Sequence, residues 1–150
     1  MWQRIQTVFL GIAILALLAS LVFPIWSAKI NGEINVLTAF YYMKGDHYQY
    51  SPYSLTAILA IASVTLAIIE ITKYKNRLTQ MKIGALNSLF LVGVIGSATW
   101  FATQLIKAEQ VGGQYGAGLW ALIIPILCNL LANRFIRKDE RLVRDADRLR

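Results

Sequence analysis

Glu70 is the carboxylate that lies inside an apolar run, Leu55 to Ile71, and an acid set in hydrocarbon is the pattern of a proton site. Lys73 and Tyr74 follow three and four residues later, the spacing that meets on one helix face. An ion pair or hydrogen bond at a membrane edge is therefore expected ahead of proton chemistry. General acid–base catalysis needs groups held at reaction distance, and the other candidates are scattered: His47, Asp46 and Glu109 fall in two loops far from Glu70. Ser88 and Cys128 have no histidine near them in the expected topology, and His47 has no cysteine or clustered carboxylate with which to hold a metal. The sequence thus predicts no catalytic residue, no cofactor-binding residue, no metal site and no enzyme. Cys128 is the lone cysteine, expected to be a buried, inert thiol, and no intrachain disulfide can form.

The remaining polar pattern of note is a stripe. Pro125, Asn129 and Asn133 recur at i, i+4 and i+8 and share one helix face. They could form the inward side of a bundle, bonding across to Asn87 or Ser88, or they could line a vestibule, since helices broken by proline recur at transport sites. A second polar layer, Thr99, Thr103 and Gln104, is expected to hold helices together at the opposite depth.

The elements that carry these residues are apolar blocks. The chain is 57% hydrophobic, with a mean hydropathy of +0.52. Soluble domains have nearer ~45–50% apolar residues even with glycine included. Blocks near the ~20 residues that cross a bilayer predict four transmembrane helices at about 4–26, 52–74, 82–106 and 117–136, an all-α integral membrane protein. One domain, 1–150, includes a helical tail at 137–150. Met1 to Ser27 resembles an export signal, but Pro24-Ile25-Trp26 is bulky where cleavage needs small residues, so a retained first helix is expected. Trp2 and Trp26 fall at its ends, where belt tryptophans sit. Ser51 and Pro52 read as the cap and first residue of the second helix. Gly93 and Ser97 offer close packing within the bundle or a homodimer seam. Pro125 is expected to break the fourth helix at mid-span.

Residues 27–51 lose the apolar character and read as an exterior loop of small β-hairpins, with turns at Asn31-Gly32 and Lys44-Gly45-Asp46. The second outer connection, Lys107 to Gly118, contains four glycines and reads as a flexible turn without strand. Five of the seven tyrosines lie between Tyr41 and Tyr53, either as an interfacial cap or as a binding platform.

Charge orients the chain. Seven of the 15 Lys and Arg lie between Arg134 and Arg150. With both termini and the 73–82 connection inside, cytoplasmic segments hold twelve Lys and Arg against five Asp and Glu, and exterior ones three of each. That is the positive-inside pattern, and it accounts for the net charge of +7 through topology and anionic lipid rather than nucleic acid. The tail alternates its signs, which also disfavours nucleic acid. Leu142, Val143, Ala146 and Leu149 form an apolar stripe on it, available to the bilayer, to the 73–82 connection or to a protein partner.

The opening Met1-Trp2-Gln3-Arg4-Ile5-Gln6-Thr7-Val8 resembles the Met-x-Gln-Arg-Ile-Gln-Thr start of a family of four-span inner-membrane proteins of Bacteroidota, defined as domain of unknown function 4293. Leu131-Ala132-Asn133-Arg134, Ile136-Arg137-Lys138-Asp139-Glu140, Leu142-Val143-Arg144 and Asp147-Arg148-Leu149-Arg150 resemble its closing signature, so the likeness covers the whole chain. The resemblance implies four helices, both termini inside and no established activity. Some members carry a transcription-termination label, but this chain has no phosphate-binding glycine loop with its lysine. The sequence points to a non-catalytic accessory or scaffold subunit of a bacterial inner-membrane complex. Its partners would be membrane lipids and a protein reached through 137–150 or 40–53, with a homo-oligomer also open. A small oligomeric transporter or channel lined by Asn87, Asn129 and Asn133 is the alternative.

Overall fold

The computed structural model describes residues 3–30, 32–73 and 76–148. The sequence expectations at Trp2, Asn31, Tyr74 and Lys75, and at the last tail residues Leu149 and Arg150, lie outside them. Helix α1 spans Gln3–Val22, α2 Leu55–Thr72, α3 Arg77–Glu109, α4 Ala117–Ala121 and α5 Ile123–Arg148. Four helical segments, Ile5–Val22, Leu55–Thr72, Arg77–Glu109 and Ala117–Asp145, are long and apolar enough to cross a membrane. Helix α1 packs on α2 and α5, and α3 packs on the same two, so the four long helices close a ring in which each touches two neighbours. The short α4 lies against α1. Apolar side chains such as Leu15, Leu89 and Val92 remain on the outside of this ring, as expected of helices whose solvent is lipid.

The protein is mostly helical but not all-α, because a five-stranded antiparallel sheet covers one end of the bundle. Its strands are β1 (Trp26–Ile30), β2 (Glu33–Leu37), β3 (Tyr42–Lys44), β4 (His47–Gln49) and β5 (Gln114–Tyr115), in the order β4-β3-β2-β1-β5. The two expected hairpins join into one sheet because Val36 and Leu37 pair with Met43 and Tyr42. The glycine-rich connection, expected to contain no strand, supplies β5: Tyr115 pairs with Trp26 and Gln114 with Ser27. Two residues are too short a run to show a strand's alternation in sequence. Period two sends Trp26, Ala28, Asn35, Leu37 and Tyr42 down onto the helices and leaves Ile34 on the other face.

Sheet formation also moves the helix ends. Helix α1 stops at Val22, earlier than the expected 26, because Ile25 and Trp26 join the sheet: Ile25 N–H donates to Leu37 O at 2.8 Å. Trp26 is consequently no belt residue. It is fully buried, and its Nε1–H donates to Gly112 O at 3.3 Å. Helix α2 has Ser54 rather than Ser51 at its N-cap position, with no side-chain capping bond, and residues 51–54 form a turn. Helix α3 starts at Arg77, where Asn76 Oδ1 accepts from Thr79 N–H, and runs to Glu109, longer at both ends than 82–106. The fourth span is interrupted as expected, but nearer its start: the break falls at Leu122, between α4 and α5, directly after Ala121, whose carbonyl Pro125 has no N–H to meet, and Pro125 itself stands in the first turn of α5.

The connection between α3 and α4 is held to the one between α1 and α2 by backbone. Gly116 N–H donates to Ile25 O and Gly118 N–H to Pro24 O, each at 2.9 Å. A Cβ on Gly118 would run into the carbonyl oxygens of Phe23 and Pro24, which cannot move without disturbing β1. Gly96, on the outside of α3, would meet nothing within 4 Å. Gly118→Ala is therefore expected to lower the thermal unfolding midpoint in detergent. Gly96→Ala, relieved of glycine's ~1 kcal/mol helix penalty, should hold or raise it.

Candidate functional site

The polar residues between the helices converge on Asn129. The ring geometry brings α5 beside α3, so Asn129 faces Asn87 and Ser88, and Asn87 faces Ser63 on α2. Asn87 Nδ2–H donates to Asn129 Oδ1 at 3.2 Å, and Asn129 Nδ2–H donates to Ser88 Oγ at 2.8 Å and to Gly84 O at 3.2 Å. Ser63 Oγ–H completes the chain onto Asn87 Oδ1. Asn87 and Asn129 are each 1% exposed, so these two amides are spent on one another and on neighbouring helices, as expected of the inward side of a bundle, whereas Asn133 lines a recess between α3 and α5. The other expected layer behaves differently. Thr99 and Thr103 bond back to their own helix, to Ile95 O, Gly96 O and Thr99 O, and lie on its outside. The cross-helix bond at that end is Thr56 Oγ1–H to Ser97 Oγ at 3.0 Å. Ser97 thus faces α2, as does Gly93, beside Leu59.

Glu70 and Asn133 meet one turn nearer the termini. Gly84 leaves a notch between α2, α3 and α5 into which both reach: Glu70 Oε1 lies 2.8 Å from where a Gly84 Cβ would stand, and Asn133 Oδ1 closer still. Glu70 is fully buried, and among the described residues neither of its carboxyl oxygens has a hydrogen-bond partner. No ion pair to Lys73 forms, because Glu70 turns inward toward α3 while Lys73 is exposed. The expected hydrogen bond to Tyr74 falls outside the described residues. Gln80 Nε2–H bonds the Glu70 backbone carbonyl instead, at 3.2 Å.

The tail is docked at its root. Asp139 is buried; its Oδ2 accepts from Gln6 Nε2–H at 3.1 Å, and its carbonyl accepts from Arg77 Nη1–H at 3.1 Å. Phe9 stacks on Phe135 with ring centroids 5.7 Å apart. Farther on, Leu142 and Val143 are exposed, and Glu140 pairs with Arg144 at 3.7 Å.

The tyrosines divide by face. Tyr42 and Tyr53 point into the sheet–bundle junction, Tyr53 edge-on to Phe101, whereas Tyr41, Tyr48 and Tyr50 form an outward cluster with centroids 5.2 and 5.8 Å from Tyr41. Local spacing gave no sign of what anchors the inner pair. Glu109, at the end of α3, takes Lys44 Nζ at 2.6 Å and the Tyr42 hydroxyl at 3.4 Å, while Asn35 Nδ2–H donates to the same hydroxyl at 3.2 Å. Burial, followed by the nearby Glu109 charge, pushes the Tyr42 hydroxyl up to about 12, and the same causes raise Tyr53. His47 and Asp46 lie exposed at the far hairpin. Among the described residues no three His, Cys, Asp or Glu side chains converge.

Two outcomes follow. The folded state holds the Tyr42 proton more tightly than the unfolded chain, so its contribution is intact below about pH 10 and lost as pH rises toward about 12. Alkaline unfolding followed by tyrosinate absorbance should be displaced and blunted in Tyr42→Phe. Glu70→Gln places an N–H donor opposite Asn133 Oδ1 and is expected to stabilise by about 1–3 kcal/mol, read as a raised unfolding midpoint in detergent. An unchanged or lowered midpoint would mean that the carboxyl group has a partner.

A sequence model of the family described as "Domain of unknown function (DUF4293)" matches residues 2–149. No curated protein is similar enough to extend that match to an activity. Spanning the sheet, the polar hub and the tail alike, the match shows that the chain belongs to the DUF4293 family.

Proposed function

We propose that this chain is a non-catalytic accessory or scaffold subunit of a bacterial inner-membrane complex, multi-pass and with both termini in the cytoplasm. The observation that carries this reading is the closure of the polar hub. Ser63, Asn87, Ser88 and Asn129 are bonded to one another across three helices, so these polar groups act as fasteners. A route for a solute lined by Asn87, Asn129 and Asn133 would need all three open to it; Asn87 and Asn129 are buried, and Asn133 alone borders a recess, which favours the scaffold reading.

The two ends of the molecule carry the exposed features instead. At one, Tyr48, Tyr50 and Ile34 stand out from a sheet braced against the bundle; at the other, Leu142 and Val143 stand on a helix rooted by Asp139. The basic excess around that root supports its cytoplasmic placement, which puts the sheet on the outer side. Aromatic clusters on a rigid support and an apolar stripe on a charged helix are surfaces suited to protein contacts.

Photo-crosslinking groups placed at Tyr48, Tyr50 and Leu142 in the host cell should give defined protein adducts, with reporters fused after Arg150 active only in the cytoplasm. A chain that emerges alone after gentle solubilisation, and tolerates loss of both surfaces, would overturn the proposal.

A further inference from the structure

A recess of about 720 Å³ opens between α3 and α5, and its wall on α5 carries Arg134, Arg137, Lys138 and Arg141. The spacing i, i+3, i+4, i+7 puts the four cations on one face over about 10 Å of helix. Its other polar members are Ser88 on α3 and Asn133 on α5. Of the carboxylates nearest to these cations in sequence, Asp139 accepts from Gln6 Nε2–H and Glu140 pairs with Arg144, while Glu70 of α2 is buried in the Gly84 notch beside Asn133. Among the described residues no carboxylate forms an ion pair with Arg134, Arg137 or Arg141. Like charges gathered on one helix face repel, and an anion seated among them relieves that cost.

The upper end of the recess is apolar. Ala85 and Leu130 line it, and beyond them Leu89 and Val92 on α3 and Leu127 on α5 remain exposed, one turn after another toward the middle of the span. Cationic forks at the level where the apolar run of α5 ends, continuous with an uncovered apolar seam, match a molecule that is anionic at one end and hydrocarbon at the other. A free phosphate would leave the seam bare. We propose that this recess binds an anionic glycerophospholipid, its phosphate held by Arg134, Arg137 and Arg141 and its acyl chains laid along the α3–α5 seam. Arginine suits the role because its planar fork gives two parallel bonds to phosphate oxygens. The site is separate from the protein contacts proposed above and requires only that these helices cross a bilayer, whichever side the tail occupies.

Native mass spectrometry of the full chain in mild detergent tests the assignment, with phosphatidylglycerol, cardiolipin, phosphatidylcholine and inorganic phosphate as separate probes. The expected result is retention of the two anionic lipids over phosphatidylcholine, and a loss on the order of 100-fold in the triple variant Arg134→Gln/Arg137→Gln/Arg141→Gln. Arg144→Gln and Lys107→Gln, outside the recess, should bind as the parent does. The unliganded triple variant should unfold at or above the parent's midpoint, since repulsion has been removed; if it does not fold, Arg137→Glu alone carries the comparison. Equal retention by the variant, equal retention of phosphatidylcholine, or displacement of lipid by inorganic phosphate would each overturn the proposal.

Discussion

Asn129 carries a constraint on which the bundle depends. Between lipid-solvated helices there is no hydrophobic drive to associate, because hydrocarbon outside is as apolar as leucine inside, so packing and hydrogen bonds must select the neighbours. One carboxamide on α5 reaches Asn87, Ser88 and the Gly84 carbonyl on α3, and Asn87 passes the link to Ser63 on α2. Three of the four long helices are fixed in depth and rotation by this chain of bonds. Sliding any one of them by a single turn would strand amides in a medium without water. The fourth, α1, is registered separately through Gln6 and Asp139 and through the stacked Phe9 and Phe135.

The opposite end of the bundle is built on another principle. There most of the buried side chains are apolar, Leu17, Ile25, Trp26, Leu37, Leu105 and Leu122 among them, with Asn35 and Thr56 as buried polar members, and an ion pair sits at the rim, where Lys44 and Tyr42 meet Glu109. The sheet therefore acts as a lid on the helices as well as a surface of its own. Its inward face continues the bundle core, and its backbone ties the two connections together.

The helices were legible because hydrocarbon length and apolarity are summed over some twenty residues, and a sum survives local exceptions. The stripe Pro125, Asn129, Asn133 was legible for a related reason: a period of four repeated twice singles out one face. The sheet was only half legible. Asn31-Gly32 announces a hairpin, but nothing local announces that Tyr115 will pair with Trp26, 89 positions earlier in the chain. The same blindness misplaced Trp26 and gave no sign of Asp139. An aromatic ring at the end of a span and a carboxylate in a charged tail have obvious surface uses, and only the partners Gly112 and Gln6, distant in sequence, remove them to the interior. The ion pair expected between Glu70 and Lys73 failed for the opposite reason, since its sequence neighbour looked sufficient and the notch at Gly84 could not be seen.

The late arrival of β5 has a consequence for assembly. Strand β1 lies between β2 and β5, and β5 belongs to the connection that follows α3. During synthesis β1 can pair with β2 at once, but its other edge has no partner until the chain has been made through Tyr115 and that segment has been delivered to the same side. Over that interval an open edge of Trp26 and Ser27 is presented to whatever else is nearby, with the Trp26 ring uncovered beside it. The last connection thus serves as a latch: closing it completes the sheet, shelters the indole and commits the helices on either side to one another.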